Sequence, residues 1–227
     1  MRTTAVRVLD RNVPTDPGRT EDPLSVVNGG IRSGETAASQ IVLVRHGETE
    51  WSRVGRHTGL TDIPLDRNGL LQAANARHYL ADLGVSFAKV FSSPLERAVE
   101  TCVAAGYSSE ITLLDDLVEW DYGDYEGRTT EEIRAEIPGW SLWADGVAHG
   151  ESIESVAARA DRVVSHLKSI DGNVIIFAHA HILRVLAARW IGLPPEHGRS
   201  FVLGPACSSI LGYEHGATAI LSWNNRE

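Results

Sequence analysis

The sequence predicts an α/β fold: a three-layer sandwich with a mostly parallel sheet and helices on both faces. Three observations carry this. The runs Ile41-Val42-Leu43-Val44 and Val174-Ile175-Ile176-Phe177 are continuously apolar, as strands buried on both faces are. Helical periodicities lie between strand-like runs, so strands and helices alternate along the chain. The 227 residues are 43% hydrophobic and 22% charged, which suits one compact domain with a sizeable core.

Residues 1–39 stand apart. They hold Pro14, Pro17, Pro23, Gly18, Gly29, Gly30 and Gly34 among polar residues, without sustained periodicity. This reads as a disordered N-terminal extension, although a misjudged start site would leave the same composition. The folded domain is expected over 40–227, and its first strand over 41–44. Leu70, Leu71, Ala74, Tyr79, Leu80 and Leu83 recur at roughly helical spacing, and Gly84 stops that helix. A strand over 88–91 follows. Ser93-Pro94 then offers an N-cap with proline at the first helical position, for a helix reaching about residue 105. A further extended stretch lies within 111–118.

Thr129-Thr130-Glu131-Glu132 has the capping-box pattern and opens a short helix that ends near Pro138. Ser152 caps another helix, whose apolar face carries Ile153, Val156, Ala157, Ala160, Val163, Val164 and Leu167. After the 174–177 strand comes a helix over 182–191, then two strands around 208–213 and 219–223.

The net charge is −9, which argues against nucleic acid or an anionic membrane as partner, because phosphate backbones need a basic face. Cys102 and Cys207 lie far apart, without metal-ligand spacing, and read as small buried apolar residues. No apolar run approaches the roughly 20 residues that span a bilayer. The start lacks the pattern of a secretory signal, so a cytoplasmic protein is expected. Apolar strands near the C-terminus offer an edge on which a homodimer could form.

In open α/β sheets, ligands bind beyond the carboxyl ends of the strands. After 41–44 come Arg45 and His46, and after 88–91 come Ser92, Ser93 and Arg97. Glu119 follows 111–118, and His179 and His181 follow 174–177. If these ends are neighbours, one pocket holds imidazoles, guanidiniums and a carboxylate. Phosphoryl transfer asks mainly for positioning and charge stabilisation. Arg45 and Arg97 can clamp phosphoryl oxygens in two-point fashion. A neutral His46 is a competent nucleophile, and neighbouring cations help keep it neutral. His179 opens a strand-to-helix turn whose free N–H groups favour an anion. Glu119 can protonate the leaving alkoxide and later accept a proton from water. Each has a blander counterpart: Arg53, Arg56, Arg77 and Arg162 read as solvated charges, and Glu126, Glu131 and Glu132 as helix-start or surface acids. Asp121 and Asp124 read as turn residues.

The segment 41–49, with Arg45-His46-Gly47-Glu48-Thr49, resembles the signature of the histidine phosphatase superfamily, the phosphoglycerate-mutase-like proteins. Ser92-Ser93-Pro94-Leu95-Glu96-Arg97 is similar to its second arginine motif. Glu119 with Tyr122-Gly123 and Glu126-Gly127 resembles its acid motif, and Ala178-His179 its second histidine motif. The resemblance spans about 40–225. It implies that His46 is the phosphorylated nucleophile, Glu119 the proton donor, and Arg45, Arg97 and His179 the phosphoryl-binding groups. It also implies that no metal or other cofactor takes part, and that the partner is a small phosphorylated substrate.

Segments 56–65 and 119–127 look like the branch of acid phosphatases and sugar-bisphosphate phosphatases, which implies His57, Thr58, Tyr122 and His181 near the substrate. A cofactor-dependent phosphoglycerate mutase ranks second, since Trp120 and Asp121 follow Glu119 where mutases carry arginine and histidine. A regulatory phosphoprotein phosphatase, or an inactive phospholigand-binding domain, is a third reading. One departure is Ala180, where the family has glycine: it is harmless at negative φ and strained at positive φ. Trp120, Trp140 and Trp143 lie near the variable segments, as pocket wall or as packing.

Overall fold

The computed structural model describes residues 39–226, so the expectation for 1–39 falls outside the described residues except at Ser39. A six-stranded sheet runs in the order β3-β2-β4-β1-β5-β6, built from Ile41–Arg45 (β1), Phe87–Ser92 (β2), Ile111–Leu113 (β3), Asn173–Ala178 (β4), Ser208–Glu214 (β5) and Ala217–Asn225 (β6). β1 to β4 are mutually parallel, and β5 and β6 add an antiparallel flank on the β1 side. The helices are Glu50–Arg53 (α1), Arg67–Asp82 (α2), Glu96–Ala104 (α3), Thr130–Glu136 (α4), Leu142–Asp145 (α5), Ile153–Lys168 (α6) and Ala180–Trp190 (α7). The chain thus has the α/β three-layer fold that its sequence predicts.

Side chains alternate across a strand, and β1 feeds two cores. Ile41 and Leu43 point to one face with Val174 and Ile176, against Val156, Ala160, Val163 and Leu167 of α6 and Leu183 and Leu186 of α7. Val42 and Val44 point to the other with Ile175 and Phe177, against Leu80 of α2 and Cys102 of α3. Burial of each such aliphatic side chain stabilises the fold by about 1.5–3 kcal/mol. Both cysteines are free and buried.

Local chemistry sets most helix starts. Asp66 accepts from the Gly69 amide to open α2, and Ser152 accepts from Ser155 to open α6. Thr129 and Glu132 cap reciprocally at α4. Two expectations are corrected. Ser93 does not cap α3: Leu95 stands at the N-cap with no side-chain bond, and the Ser93 hydroxyl, two residues earlier, takes the Leu95 N–H at 3.3 Å and a histidine ring nitrogen at 2.8 Å. The strand within 111–118 ends at Leu113, and a 3₁₀ turn at Asp115–Leu117 intervenes before Glu119.

That connection is bolted from α6. Arg159 donates to the carbonyls of Asp116 and Val118 and pairs in two-point fashion with Glu151 at 2.7 and 2.8 Å. Glu151 in turn donates its amide to Asp121 and accepts the Trp120 indole N–H. Both charged side chains are largely buried. Removing one member of such a pair leaves the other charge uncompensated. Arg159→Ala is therefore expected to cost about 3 kcal/mol in urea unfolding. An unchanged midpoint would contradict this account of the loop.

Candidate active site

The register of parallel pairing brings the chemistry together. Arg45 lies opposite Ala178, and the ladder continues one step further, with His46 N–H donating to Ala178 O and Ser93 N–H to Phe177 O. The next residues, His46 and His179, therefore sit side by side, ring centroids 5.2 Å apart. His46 Nδ1 lies 2.7 Å from the Gly47 carbonyl, so Nδ1 carries the proton and Nε2 keeps its lone pair. Gly47 must lack a side chain, because a Cβ would run into the Gly69 carbonyl. The His46 ring is buried, and its pKa lies well below the usual histidine value, first through desolvation and then through the Arg45 and Arg97 charges.

Arg45 extends beside it. Nη1 donates to Leu203 O at 2.6 Å, while Nε is buried with no partner among the described residues. A guanidinium carries five N–H groups, so Arg45 keeps several for an anion. Arg97 differs. It has no exposed surface, its Nε donates to His179 Nδ1 at 3.1 Å, Nη1 to Thr61 O, and Nη2 to Thr58 O and Gly59 O. One N–H, on Nη1, remains, so of the two arginines expected to clamp oxygens in two-point fashion, only Arg45 has the donors to do so. His179 is likewise engaged at both nitrogens: Nδ1 accepts from Arg97, so Nε2–H donates to Ser93 Oγ at 2.8 Å. Its pKa is far below the usual value, through burial and then Arg97.

Glu119 reaches the start of α7. Oε1 accepts from the amides of Trp120 and Ile182, and Oε2 from His181. The anion at this helix N-terminus is thus the protein's own carboxylate, which corrects the expectation of free N–H groups after His179. Ala180 is the first residue of α7 and is not at positive φ, so the departure from glycine carries no backbone strain.

His57, Thr58, Tyr122 and His181 gather at the same place. Tyr122 Oη lies 2.6 Å from His181 Nδ1. Burial, then the Glu119 charge, holds the phenol well above its usual pKa; burial holds His181 well below its own. The hydroxyl is therefore the donor, and His181 keeps its proton on Nε2. The His57 ring packs 4.8 Å from Tyr122, and burial pushes its pKa down to about 4.

A cavity of about 250 Å³ opens over this set, lined by Arg45, His46, His57, Thr58, Glu119, Tyr122 and His181. Arg97 and His179 lie behind the wall. Arg56 and Arg184 also line it, and the sequence reading missed both as pocket residues. Arg56, read as a solvated charge, donates to Gly127 O. Arg184 sits one helical turn from His181, with Nε on Gly198 O, Nη2 on Arg199 O and its guanidinium 4.8 Å over Trp143. That i, i+3 spacing on a helix opening at the site was the available signal. Trp120 and Trp140 are buried in the core, and Trp143 supports Arg184, so the tryptophans serve packing. Glu126, read as a surface acid, instead accepts from the amides of Gly59 and Thr61. Asp121 is a turn residue, accepting from Gly123 N–H. Among the described residues no group of three His, Cys, Asp or Glu side chains could hold a metal ion. No helix among them is long and apolar enough to cross a membrane.

Comparison with known proteins agrees in kind. The profile of the histidine phosphatase superfamily (branch 1) matches residues 41–226. An acid phosphatase of Mycobacterium tuberculosis is 41% identical over 182 residues, covering 78% of this chain and 88% of that protein. The sedoheptulose 1,7-bisphosphatase of Saccharomyces cerevisiae is 34% identical over 185 residues, 67% of each chain. The solved structure of an open reading frame product of Mycobacterium tuberculosis superposes with a TM-score of 0.79 at 37% identity, covering 83% of this chain and 98% of the other.

Four imidazoles kept neutral have a consequence for stability. The folded pKa of His46, His57, His179 and His181 lies below the usual 6.5, so the unfolded chain binds more protons as pH falls past that value. Stability then drops by up to about 1.4 kcal/mol per pH unit per histidine. The loss starts near pH 6.5 and for His57 runs to about 4. The urea midpoint at pH 5 is expected below that at pH 7; equal midpoints would refute this.

Proposed function

The chain belongs to the histidine phosphatase superfamily, and from that premise we propose that it hydrolyses small phosphorylated metabolites through a phosphohistidine on His46. The observation that carries the proposal is the unprotonated Nε2 of His46 in a cavity lined by Arg45, whose guanidinium gives up one of its N–H groups, to Leu203 O, among the described residues. In this reading Arg45 binds the phosphoryl oxygens. Nε2 attacks phosphorus, and the bond from phosphorus to the leaving oxygen breaks. A phosphomonoester entering as its monoanion hands a proton to the Glu119 carboxylate, which passes it to the leaving alkoxide. Water then attacks the phosphohistidine, Glu119 accepts its proton, and inorganic phosphate leaves. Arg97 and His179 act at the base of the site, through the one N–H left on Arg97 and the ordering of both rings. His57, Thr58, Tyr122 and His181 face the rest of the substrate.

The reading extends to the substrate. Arg56 and Arg184 add positive charge to the wall, which supports a substrate with a second anionic group, such as a sugar bisphosphate, over a neutral monoester. It also takes the enzyme to be cytoplasmic, working on a small molecule and not on nucleic acid, in keeping with a net charge of −9. A homodimer would form along the open edge of β6.

Phosphate release from a generic phosphomonoester is the direct test. His46→Ala is expected to lose at least about a thousandfold in kcat/KM. Full activity in that variant would sink the mechanism. Because His46 titrates well below 6.5, kcat/KM should show no acid limb near that pH. Arg184→Ala should raise KM by about tenfold for bisphosphorylated substrates and little for neutral monoesters. An equal effect on both would remove the second-anion assignment.

A further inference from the structure

Resting on the phosphatase reading above, we propose that Glu126 is the positioning residue for Arg97: its carboxylate holds the loop over 58–61 in the shape that grips the buried guanidinium. Three of the Arg97 N–H groups end on carbonyls of this one loop, at Thr58, Gly59 and Thr61. Among the described residues its one carboxylate within 4 Å is Asp62, at 3.7 Å and with a side chain 42% exposed. Apart from the Glu119 and Asp62 charges and the His179 ring nitrogen, this fully buried cation is held by the direction of three peptide dipoles.

Glu126 sets that direction from the opposite side of the loop. Oε1 accepts from Gly59 N–H at 2.8 Å and Thr61 N–H at 3.2 Å. The Gly59 N–H and the Thr58 carbonyl belong to one peptide unit. An acceptor pulling on the N–H polarises the carbonyl, and so strengthens its bond to Arg97. The fit is tight: a Cβ at Gly59 would lie 2.5 Å from Trp120 O and 2.6 Å from Glu126 Oε2. Oε2 is itself buried without a partner, so the carboxylate is not held there for a bond of its own at that oxygen. From the loop the order passes through Arg97 Nε to His179, beside the His46 ring.

The proposal separates acceptor geometry from charge. Glu126→Gln keeps a carbonyl oxygen for both amides, Glu126→Asp keeps the charge but withdraws the oxygen, and Glu126→Ala removes both. The first readout is arginine-selective proton–nitrogen NMR on the full chain. The buried Arg97 Nε–H should give a slowly exchanging resonance, assigned by its loss in Arg97→Lys. Glu126→Gln should retain it; Glu126→Asp and Glu126→Ala should lose it. The second readout is KM for a phosphomonoester, expected within about threefold of wild type in Glu126→Gln and raised at least about tenfold in the other two. If Glu126→Ala does not fold, the Gln and Asp variants decide. A resonance unchanged in Glu126→Asp, a Glu126→Gln variant as impaired as the others, an unchanged KM, or no protected Nε–H in the wild type overturns the proposal. A wild type that releases no phosphate overturns the phosphatase reading instead, and the NMR comparison still judges Glu126.

Discussion

A guanidinium with no exposed surface is the constraint around which this site is arranged. Water cannot solvate Arg97, so the protein must supply its acceptors. It does so with three loop carbonyls and one ring nitrogen. The ring-nitrogen bond forces a tautomer. Arg97 can only donate, so His179 Nδ1 must be unprotonated, its proton sits on Nε2, and Ser93 must accept it. The loop carbonyls shape the mouth of the cavity, because the loop that receives Arg97 also carries Thr58 to its wall. Positive charge and desolvation at one spot then hold His46 neutral, with desolvation the larger cause. One buried cation thus links the tautomer of one histidine to the course of a pocket loop and adds, after burial and Arg45, to the neutrality of a second histidine.

Much of the fold was legible because the central strands are buried on both faces. Ile41 to Val44 and Val174 to Phe177 leave little choice but adjacent inner strands, and their register sets His46 beside His179. Helix starts with a side-chain cap were legible too, at Thr129 and Ser152. At Ser93 the expected cap falls two residues short of the helix: its hydroxyl takes the Leu95 N–H and the His179 ring, and α3 begins only at Glu96. Glu119 does not sit at a strand end as expected, because β3 stops where its pairing with β2 stops, at Ser92 opposite Leu113, a property of the neighbour.

The same reasoning explains which site residues the sequence revealed. His46, Arg45 and Glu119 stand next to strong local signals. Arg184 and Glu126 do not. Their surroundings come from segments distant in the chain, the turn at Pro195–Ser200 for Arg184 and the 59–61 loop for Glu126. An arginine or glutamate in a polar context reads as solvated until its partners are known. The short α1 and α5, four residues each, have no periodicity to detect.

The start of α7 shows why a departure from the family pattern can be mild. A glycine after the second histidine would matter if the backbone there had to turn through positive φ, or come close to the ligand. The first is not required here. Ala180 opens a regular helix, and the next two amides, of His181 and Ile182, are already bound to Glu119. With that helix end occupied by an internal carboxylate, the proposed phosphoryl site draws its charge from side chains. In that proposal Arg45, which lines the cavity and donates only to Leu203 O among the described residues, provides it. The added methyl therefore lines a wall of the cavity without displacing a backbone donor, and the strand-to-helix turn keeps its geometry with alanine in place of glycine.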